Sequence, residues 1–553
     1  MQSAHEQESS SSSTSTLNTS PSTSGGLLTI RLIEARGLQL PMGLEAPERS
    51  AGLNGNGSSG GARKRESVQR REFSFLPYCI LTFDKNEVVI DPLGGTLQSP
   101  SYLYSTSFDV SRPESISISA YLRLPGMERK VAGHGRTPSG TGDVFLANAL
   151  LQPLFDPRNT TDLWYQYVGH KTEDVGLGAD SWWRRRSASG TGEFRIQIAY
   201  RPTKHEALTI DAFELLKVVG KGSFGKVMQV RKKDTGRIYA LKTIRKAHII
   251  SRSEVTHTLA ERTVLAQVTS PFIVPLKFSF QSPEKLYLVL AYVNGGELFH
   301  HLQNEGRFDE ERSRFYAAEL LCALDHLHSF NVVYRDLKPE NILIDYTGHL
   351  TLCGKVFTFN CRTFAGTPEY LSPELILGEG YTRVVDWWTL GVLLYEMLTG
   401  LPPFFEEDHQ KMYRRIVGEE LTFPVGLVGE AKRILTALLQ KNPARRLGAH
   451  GAEEIRRHLF FHGLDWNALA NRRIQPPFRP SVESAVDTSN VCLMIFIISI
   501  FDVLKTVNQV DSEFLSEKAM DSVVEDSQLS ESTQAQFSGF TYVAPTGLGE
   551  SVR

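Results

Sequence analysis

Cysteine is scarce in this chain and never closely paired. Cys79, Cys322, Cys353, Cys361 and Cys492 are the only 5 among 553 residues, and no two form a Cys-x-x-Cys. That excludes a zinc ribbon and argues against a disulfide frame, which points to a reducing compartment. Charge of either sign is also lacking in excess, with 60 Lys and Arg against 62 Asp and Glu. Bulk attraction to nucleic acid or to an anionic membrane is therefore not expected, and no nucleic-acid partner is called for. No apolar run opens the chain: residues 1–25 are mostly Ser, Thr, Gln, Glu and Asn. Such a segment excludes a secretory signal and buries too little apolar surface to offset its ordering entropy, so it reads as disordered. The remaining composition, 41% hydrophobic and 22% charged, is that of an ordinary folded protein, long enough for two or three domains.

From Gly26 the texture changes. Leu27-Leu28-Thr29-Ile30-Arg31-Leu32-Ile33 alternates as a strand does and runs into a Gly-bearing turn at Ala35-Arg36-Gly37. A Gly-, Ser- and Arg-rich stretch at about 44–71 reads as a flexible insertion. Further strands are expected at 78–83, 115–122 and 194–200, the second with Ile116, Ile118 and Ala120 on one face. Short strands separated by turn signals point to an all-β sandwich over 26–202. In position and length this block resembles a C2 domain. Calcium binding would need clustered Asp side chains in its loops, and residues 38–43 and 122–126 hold none. A calcium-independent module for a protein surface or lipid headgroups is expected. Trp182-Trp183-Arg184-Arg185-Arg186 reads either as an interfacial membrane anchor or as a solvated basic loop with one Trp packed on the sandwich. Because Arg184 and Arg186 precede Ser189, that serine is a candidate self-phosphorylation site.

The stretch around which the chain is organised is Tyr334-Arg335-Asp336-Leu337-Lys338-Pro339-Glu340-Asn341. An Arg-Asp pair followed by Lys and Asn at this spacing is the pattern of a protein-kinase catalytic loop. The Asp accepts the proton of an incoming hydroxyl, the Lys steadies the transferring phosphoryl group and the Asn holds Mg²⁺. Alone, the string is a polar turn between apolar runs. Its partners stand in order on both sides. Gly220-Lys221-Gly222-Ser223-Phe224-Gly225-Lys226-Val227 lets backbone approach phosphates, and Lys242 in Ala240-Leu241-Lys242 supplies a positive charge. Residues 254–268 read as a helix, with Glu261 the candidate partner of Lys242 and Glu254 the alternative. A buried strand at 286–290 leads into Ala291-Tyr292-Val293, a hinge for adenine. Gly366-Thr367-Pro368-Glu369-Tyr370, Asp386-Trp387-Trp388 and Arg446 follow.

The ordered set resembles a eukaryotic protein kinase across about residues 213–461, with a tail over 462–553. The resemblance implies a bilobal α+β domain using ATP and Mg²⁺. Gly220, Lys221, Gly222, Ser223, Phe224, Gly225, Val227, Lys242, Glu261, Ala291 and Val293 would hold the nucleotide and Asn341 the metal. Asp336 and Lys338 would be catalytic. Tyr334 ahead of Arg335, Thr363-Phe364-Ala365-Gly366-Thr367 and the tail string Phe537-Ser538-Gly539-Phe540-Thr541-Tyr542 are similar to AGC serine/threonine kinases. The stretch 254–262 and Leu529-Ser530-Glu531-Ser532 look most like the fungal Ypk kinases, relatives of the serum- and glucocorticoid-regulated kinases. That resemblance implies phosphorylation of Thr363 by a phosphoinositide-dependent-type kinase and of Thr541 by TOR complex two. It also implies that Glu297, Glu340 and Glu396 receive arginines of Arg-rich protein substrates.

Two departures stand out. After Asn341 a kinase should carry Asp-Phe-Gly, yet the chain reads His349-Leu350-Thr351-Leu352-Cys353-Gly354-Lys355-Val356-Phe357, and the segment to Pro373 is short. In the tail, an apolar run from Val491 to Phe501 replaces a polar tether; it is too short to span a bilayer, and Val-Cys is what a translated intron start encodes. Both read as gene-model errors or as marks of a true pseudokinase. The expected protein is thus a multidomain, monomeric serine/threonine kinase of TOR-linked signalling, with an impaired pseudokinase or scaffold as the alternative. It is expected in the cytoplasm, with peripheral contact at the plasma membrane through its N-terminal domain.

Overall fold

Two antiparallel sheets form the first part of the computed structural model. The model describes residues 26–39, 76–84, 86–110, 114–122, 144–169, 192–202, 208–222, 225–252, 254–354, 357–358, 367–480, 521 and 529–543. The serine-rich start, the 44–71 insertion, Trp182 to Ser189 and the apolar run from Val491 lie outside them.

One sheet contains β1 (Gly26–Arg36), β4 (Gly94–Gly95), β5 (Pro100–Val110), β8 (Thr161–Gln166) and β10 (Glu193–Pro202), in the order β4-β5-β1-β10-β8. The other contains β2 (Tyr78–Phe83), β3 (Asn86–Ile90), β6 (Ile116–Leu122), β7 (Val144–Leu151) and β9 (Val168–Gly169), in the order β3-β2-β6-β7-β9. Alternation explains the layering. On β10 Phe194, Ile196, Ile198 and Tyr200 point inward and meet Leu28, Ile30 and Leu32 of β1. Phe83, Ile116 and Ile118 close the core from the second sheet. The four strands expected here are all present. The others lack a clean period: β8 is a partly exposed edge, and β5 is rich in serine and tyrosine.

The small lobe of the second domain is a sheet of β11 (Phe213–Gly222), β12 (Gly225–Lys232), β13 (Ile238–Arg245), β14 (Leu276–Gln281) and β15 (Lys285–Ala291), with helices α1 (Lys246–Ser251) and α2 (Val255–Gln267). The large lobe follows with α3 (Leu298–Glu305) and α4 (Glu310–Ser329). Short strands β16 (Val332–Val333), β17 (Ile342–Ile344), β18 (Leu350–Leu352) and β19 (Phe357–Thr358) then frame the catalytic loop. The helix α4 is capped by Asp309, whose carboxylate accepts from the Arg312 amide at 2.7 Å, with Glu310 and Glu311 in the first turn complementing the dipole. It packs on α5 (Val384–Thr399), apolar nearly all round and buried as such a helix must be. The tail returns to the small lobe as α6 (Glu531–Ala535) and β20 (Tyr542–Val543), which extends the sheet beyond β14.

One buried ion pair ties the segment after the catalytic loop to the base of the large lobe. Arg446 and Glu374 form a bidentate pair at 2.6 and 2.8 Å, with side chains 0% and 2% exposed. Removing one partner strands the other charge out of water, so Arg446→Ala is expected to destabilise the two-lobed domain by about 3–5 kcal/mol. Denaturant melts of parent and variant check this; a change under about 1 kcal/mol, the level of a surface pair, would contradict it.

Candidate active site

A cleft of about 130 Å³ lies between the lobes, lined by Val219, Val227, Ala240, Lys242, Ala291, Val293 and Leu343 among others. Its roof is the hairpin of β11 and β12, in which Gly220 pairs with Val227, Lys221 with Lys226 and Gly222 with Gly225. A Cβ at Gly225 would lie 1.7 Å from the Thr243 carbonyl oxygen, so only glycine lets this hairpin lie flat on β13. Ser223 and Phe224, at its tip, fall outside the described residues.

Lys242 reaches down from β13 and donates to Glu261 at 2.8 Å. Glu261 is buried on α2, whereas Glu254 stands ahead of that helix and its carbonyl accepts from Thr258. Of the two acids considered, only Glu261 is held against the lysine. Ala291 and Val293 border the same cleft, at the end of β15 and just beyond.

The catalytic loop is held from beneath by Asp386, at the start of α5 and wholly buried. Its carboxylate accepts from the amides of Tyr334 (2.9 Å) and Arg335 (2.8 Å) and from His328 Nε2 (2.7 Å). Arg335 adopts φ 64°, a turn that L-residues rarely take and that these hydrogen bonds stabilise. Above it, Asn341 Nδ2 donates to the Asp336 carboxylate at 2.7 Å and to its carbonyl at 2.8 Å. Lys338 Nζ donates to Thr367 Oγ1 at 2.9 Å and lies 3.7 Å from Asp336 Oδ1. Asp336, Lys338 and Asn341 thus lie together, with Thr367 beside Lys338.

Where an acid was expected after β18, Cys353 and Gly354 stand. The Cys353 thiol donates to the Asn341 carbonyl at 3.3 Å, and burial pushes its pKa up to about 12, so it stays neutral. The Tyr334 hydroxyl donates to the Cys353 carbonyl, and Gly354 turns away at φ 105°. A Mg²⁺ ion takes octahedral oxygen ligands, usually one or two carboxylates with the substrate phosphates. Among the described residues, the loop offers Asn341 and an Asp336 carboxylate already shared with it. Among the described residues no group of three His, Cys, Asp or Glu side chains could hold a metal. This donor set does not fit the expected ion, and Asp345 does not supply the missing ligand, being paired with Arg472.

Carboxylates gather on the large-lobe face beside the cleft. Burial first, then the neighbouring Glu340, pushes Glu297 up to about 8. Burial raises Glu396 to about 7, with Glu340 and Glu369 adding repulsion, and burial raises Glu340 as well. The Tyr370 hydroxyl donates to Glu396. One oxygen each of Glu297, Glu340 and Glu369 is buried with no hydrogen-bond partner. Glu369 is the member that sequence reasoning did not assign; its place in Gly366-Thr367-Pro368-Glu369-Tyr370 was the available signal.

The tail completes the site from behind. Phe537 and Phe540 are fully buried among Ile249, Leu265, Leu276 and Leu288. Arg262, one residue after Glu261, donates to the carbonyls of Phe540 (3.1 Å) and Thr541 (3.2 Å). Thr541 itself is exposed, and Thr363 lies outside the described residues. Asp521 accepts from Lys285 at 2.6 Å and Tyr287 at 2.9 Å, an anchor that the sequence did not announce.

Comparison with known proteins adds relatives to this geometry. Residues 213–461 match the protein kinase domain family and residues 507–542 the protein kinase C terminal domain family. The second match begins after the apolar run. The chain is 52% identical over 548 residues to serine/threonine-protein kinase gad8 of Schizosaccharomyces pombe, covering 95% of this chain and 86% of that one. It is 51% identical to serine/threonine protein kinase ypkA of Aspergillus fumigatus over 517 residues, 89% of this chain and 77% of that one. It is 50% identical to serine/threonine-protein kinase YPK1 of Saccharomyces cerevisiae over 493 residues, 86% of this chain and 68% of that one.

Glu261 holds Lys242 through a charge-assisted bond of the kind that contributes about 1.5–3 kcal/mol. Glu261→Ala should therefore raise the Kd for an ATP analogue by roughly tenfold or more. Fluorescence titration of parent and variant checks it; unchanged affinity would show that Lys242 needs no partner.

Proposed function

This chain belongs to the AGC serine/threonine protein kinases, beside the fungal Ypk and Gad8 enzymes, and we propose that it directs ATP at Ser or Thr in Arg-rich protein segments in TOR-linked signalling. The observation that carries the substrate reading is the acidic face. Three buried carboxylate oxygens without partners, on Glu297, Glu340 and Glu369, are an expensive arrangement for an empty protein. A guanidinium satisfies two such oxygens at once, in the fork geometry that lysine lacks.

In this reading Asp336 takes the proton of the attacking hydroxyl, and Asn341 keeps its carboxylate oriented. Lys242 and Lys338 bring positive charge to the phosphates from opposite lobes. The nucleotide reading is supported by the apolar cleft at Ala291 and Val293 and by the glycine hairpin over it. Thr541 is reachable by an upstream kinase such as TOR complex two, since its side chain is exposed while Arg262 grips only its carbonyl. Phosphate there would add charge beside Arg262 and tighten the tail on α2. Thr363, as the site of a phosphoinositide-dependent-type kinase, rests on the resemblance alone.

A protein kinase domain implies ATP and a divalent metal ion. Cys353 and Gly354 give the metal no carboxylate, and this favours a second reading: a nucleotide- and peptide-binding protein that transfers phosphate slowly or not at all.

Two outcomes test these readings. Glu297 is protonated below about pH 8 and Glu396 below about pH 7, and a protonated carboxyl does not pair with a guanidinium. Affinity for an Arg-containing peptide should rise between pH 6 and pH 8, by at most about tenfold per unit for each group. An Ala-substituted peptide should show a flat profile, and Glu297→Gln should flatten the slope; a slope shared by both peptides would refute the acidic-face reading. Separately, inserting Asp-Phe between Cys353 and Gly354 should raise peptide phosphorylation on the order of 10²-fold, because the added carboxylate completes the metal's ligands. Brisk phosphorylation by the parent, equal to that of the insertion variant, would mean that it needs no such acid and is a competent kinase.

A further inference from the structure

The β-sandwich does not hang from the kinase domain by its linker; it is seated across both lobes. On the small-lobe side, Asp84 in the β2–β3 turn forms an ion pair with Lys277 of β14, both side chains being 2% exposed. Lys277 also donates to the Asp84 carbonyl. Asp84 adopts φ 46°, a conformation that Asp tolerates better than most residues. A second anchor lies at the β12–β13 hairpin, where Asp109 of β5 accepts from Lys232, Thr235 and Tyr239, each at 2.9 Å.

The other end of β2, with its neighbour β6, grips the large lobe. Arg479, in the tail segment that passes beside Gly295, is buried among three tyrosines. Its guanidinium lies 4.8 Å from the ring of Tyr121 and 4.3 Å from that of Tyr346 and donates to the hydroxyl of Tyr78. Its Nε donates to the Tyr346 carbonyl at 3.0 Å. Tyr78 and Tyr121 belong to the sandwich, whereas Tyr346 sits in the large-lobe loop between β17 and β18.

We propose that the sandwich is an intramolecular splint whose docking across Lys277 and Arg479 restrains the lobes from opening about the hinge. Lobe opening changes the separation between β14 and the Tyr346 loop, and a rigid body anchored at both resists that change. The splint is separable rather than part of one core. The sandwich has a hydrophobic core of its own, distinct from the clusters of either lobe. The anchors are mostly ion pairs and hydrogen bonds, with one small apolar cluster of Tyr78, Ile80 and Tyr121 against Tyr346, and a cleft of about 260 Å³ remains in the seam near Ser117, Asn148 and Arg473, as in interfaces that come apart without unfolding. Whatever engages the sandwich on this face would then loosen the nucleotide cleft without touching it.

The test uses the full chain. Asp84→Asn weakens the small-lobe anchor and Arg479→Ala removes the large-lobe one. Hydrogen exchange should rise at Tyr78–Phe83 and Leu276–Gln281, reporting undocking, and also at the hinge, residues 291–296. Dissociation of a fluorescent ATP analogue should quicken about 5-fold or more, the lower end of ordinary coupling between sites. Should either variant fail to fold, a protease site placed within 203–207 and cut after folding serves instead. The cut parent should hold its sandwich on gel filtration and exchange at the hinge like the intact chain until salt strips the sandwich away. Undocking with unchanged hinge exchange would overturn the proposal, as would a sandwich that separates from the cut parent without salt. Hinge exchange needs no bound nucleotide, so failure of the ATP reading is told apart from failure of the splint.

Discussion

A carboxylate with no exposed surface carries the site. Asp386 accepts two successive backbone amides and one imidazole, and through them holds the catalytic loop in a turn that Arg335 would not adopt alone. A buried charge is tolerated only when such donors surround it. Asp386 lies in the first turn of α5, the apolar helix at the centre of the large lobe, so loop geometry is inherited from the core. Asp336, Lys338 and Asn341 are arranged on top of that base.

The same logic of buried charge met by donors recurs wherever separate pieces join. Lys242 meets Glu261 between the sheet and α2. Arg446 meets Glu374 beneath the large lobe, and Lys277 meets Asp84 at the sandwich seam. Apolar packing fills each domain, but polar pairs set which surfaces meet and in what register. The tail follows suit: Phe537 and Phe540 supply the burial, and Arg262 sets the position by gripping their strand. Since Arg262 and Glu261 are neighbours on α2, tail docking and lysine placement share one rigid element.

The region after β18 shows what happens when an expected side chain is absent. Backbone fills the place: the Cys353 carbonyl takes the Tyr334 hydroxyl, and the Cys353 thiol turns to Asn341. The Tyr334 hydroxyl and the Cys353 thiol thus find partners without the missing acid.

Periodicity and spacing made much of this legible. Strict alternation in residues 27–33 and 194–200 marked two strands of the sandwich, because a strand buried on one face must alternate. Fixed spacing from Arg335 to Asn341 marked the loop, because one short turn must present base, cation and amide together. Strands such as β5 and β8 were not legible, since their environment is set by neighbours distant in sequence rather than by their own pattern. The Asp521 anchor and the seating of the sandwich on Lys277 and Arg479 were decided by tertiary structure alone. Each depends on two residues meeting across elements, and a linear chain records which residues are present but not which of them meet.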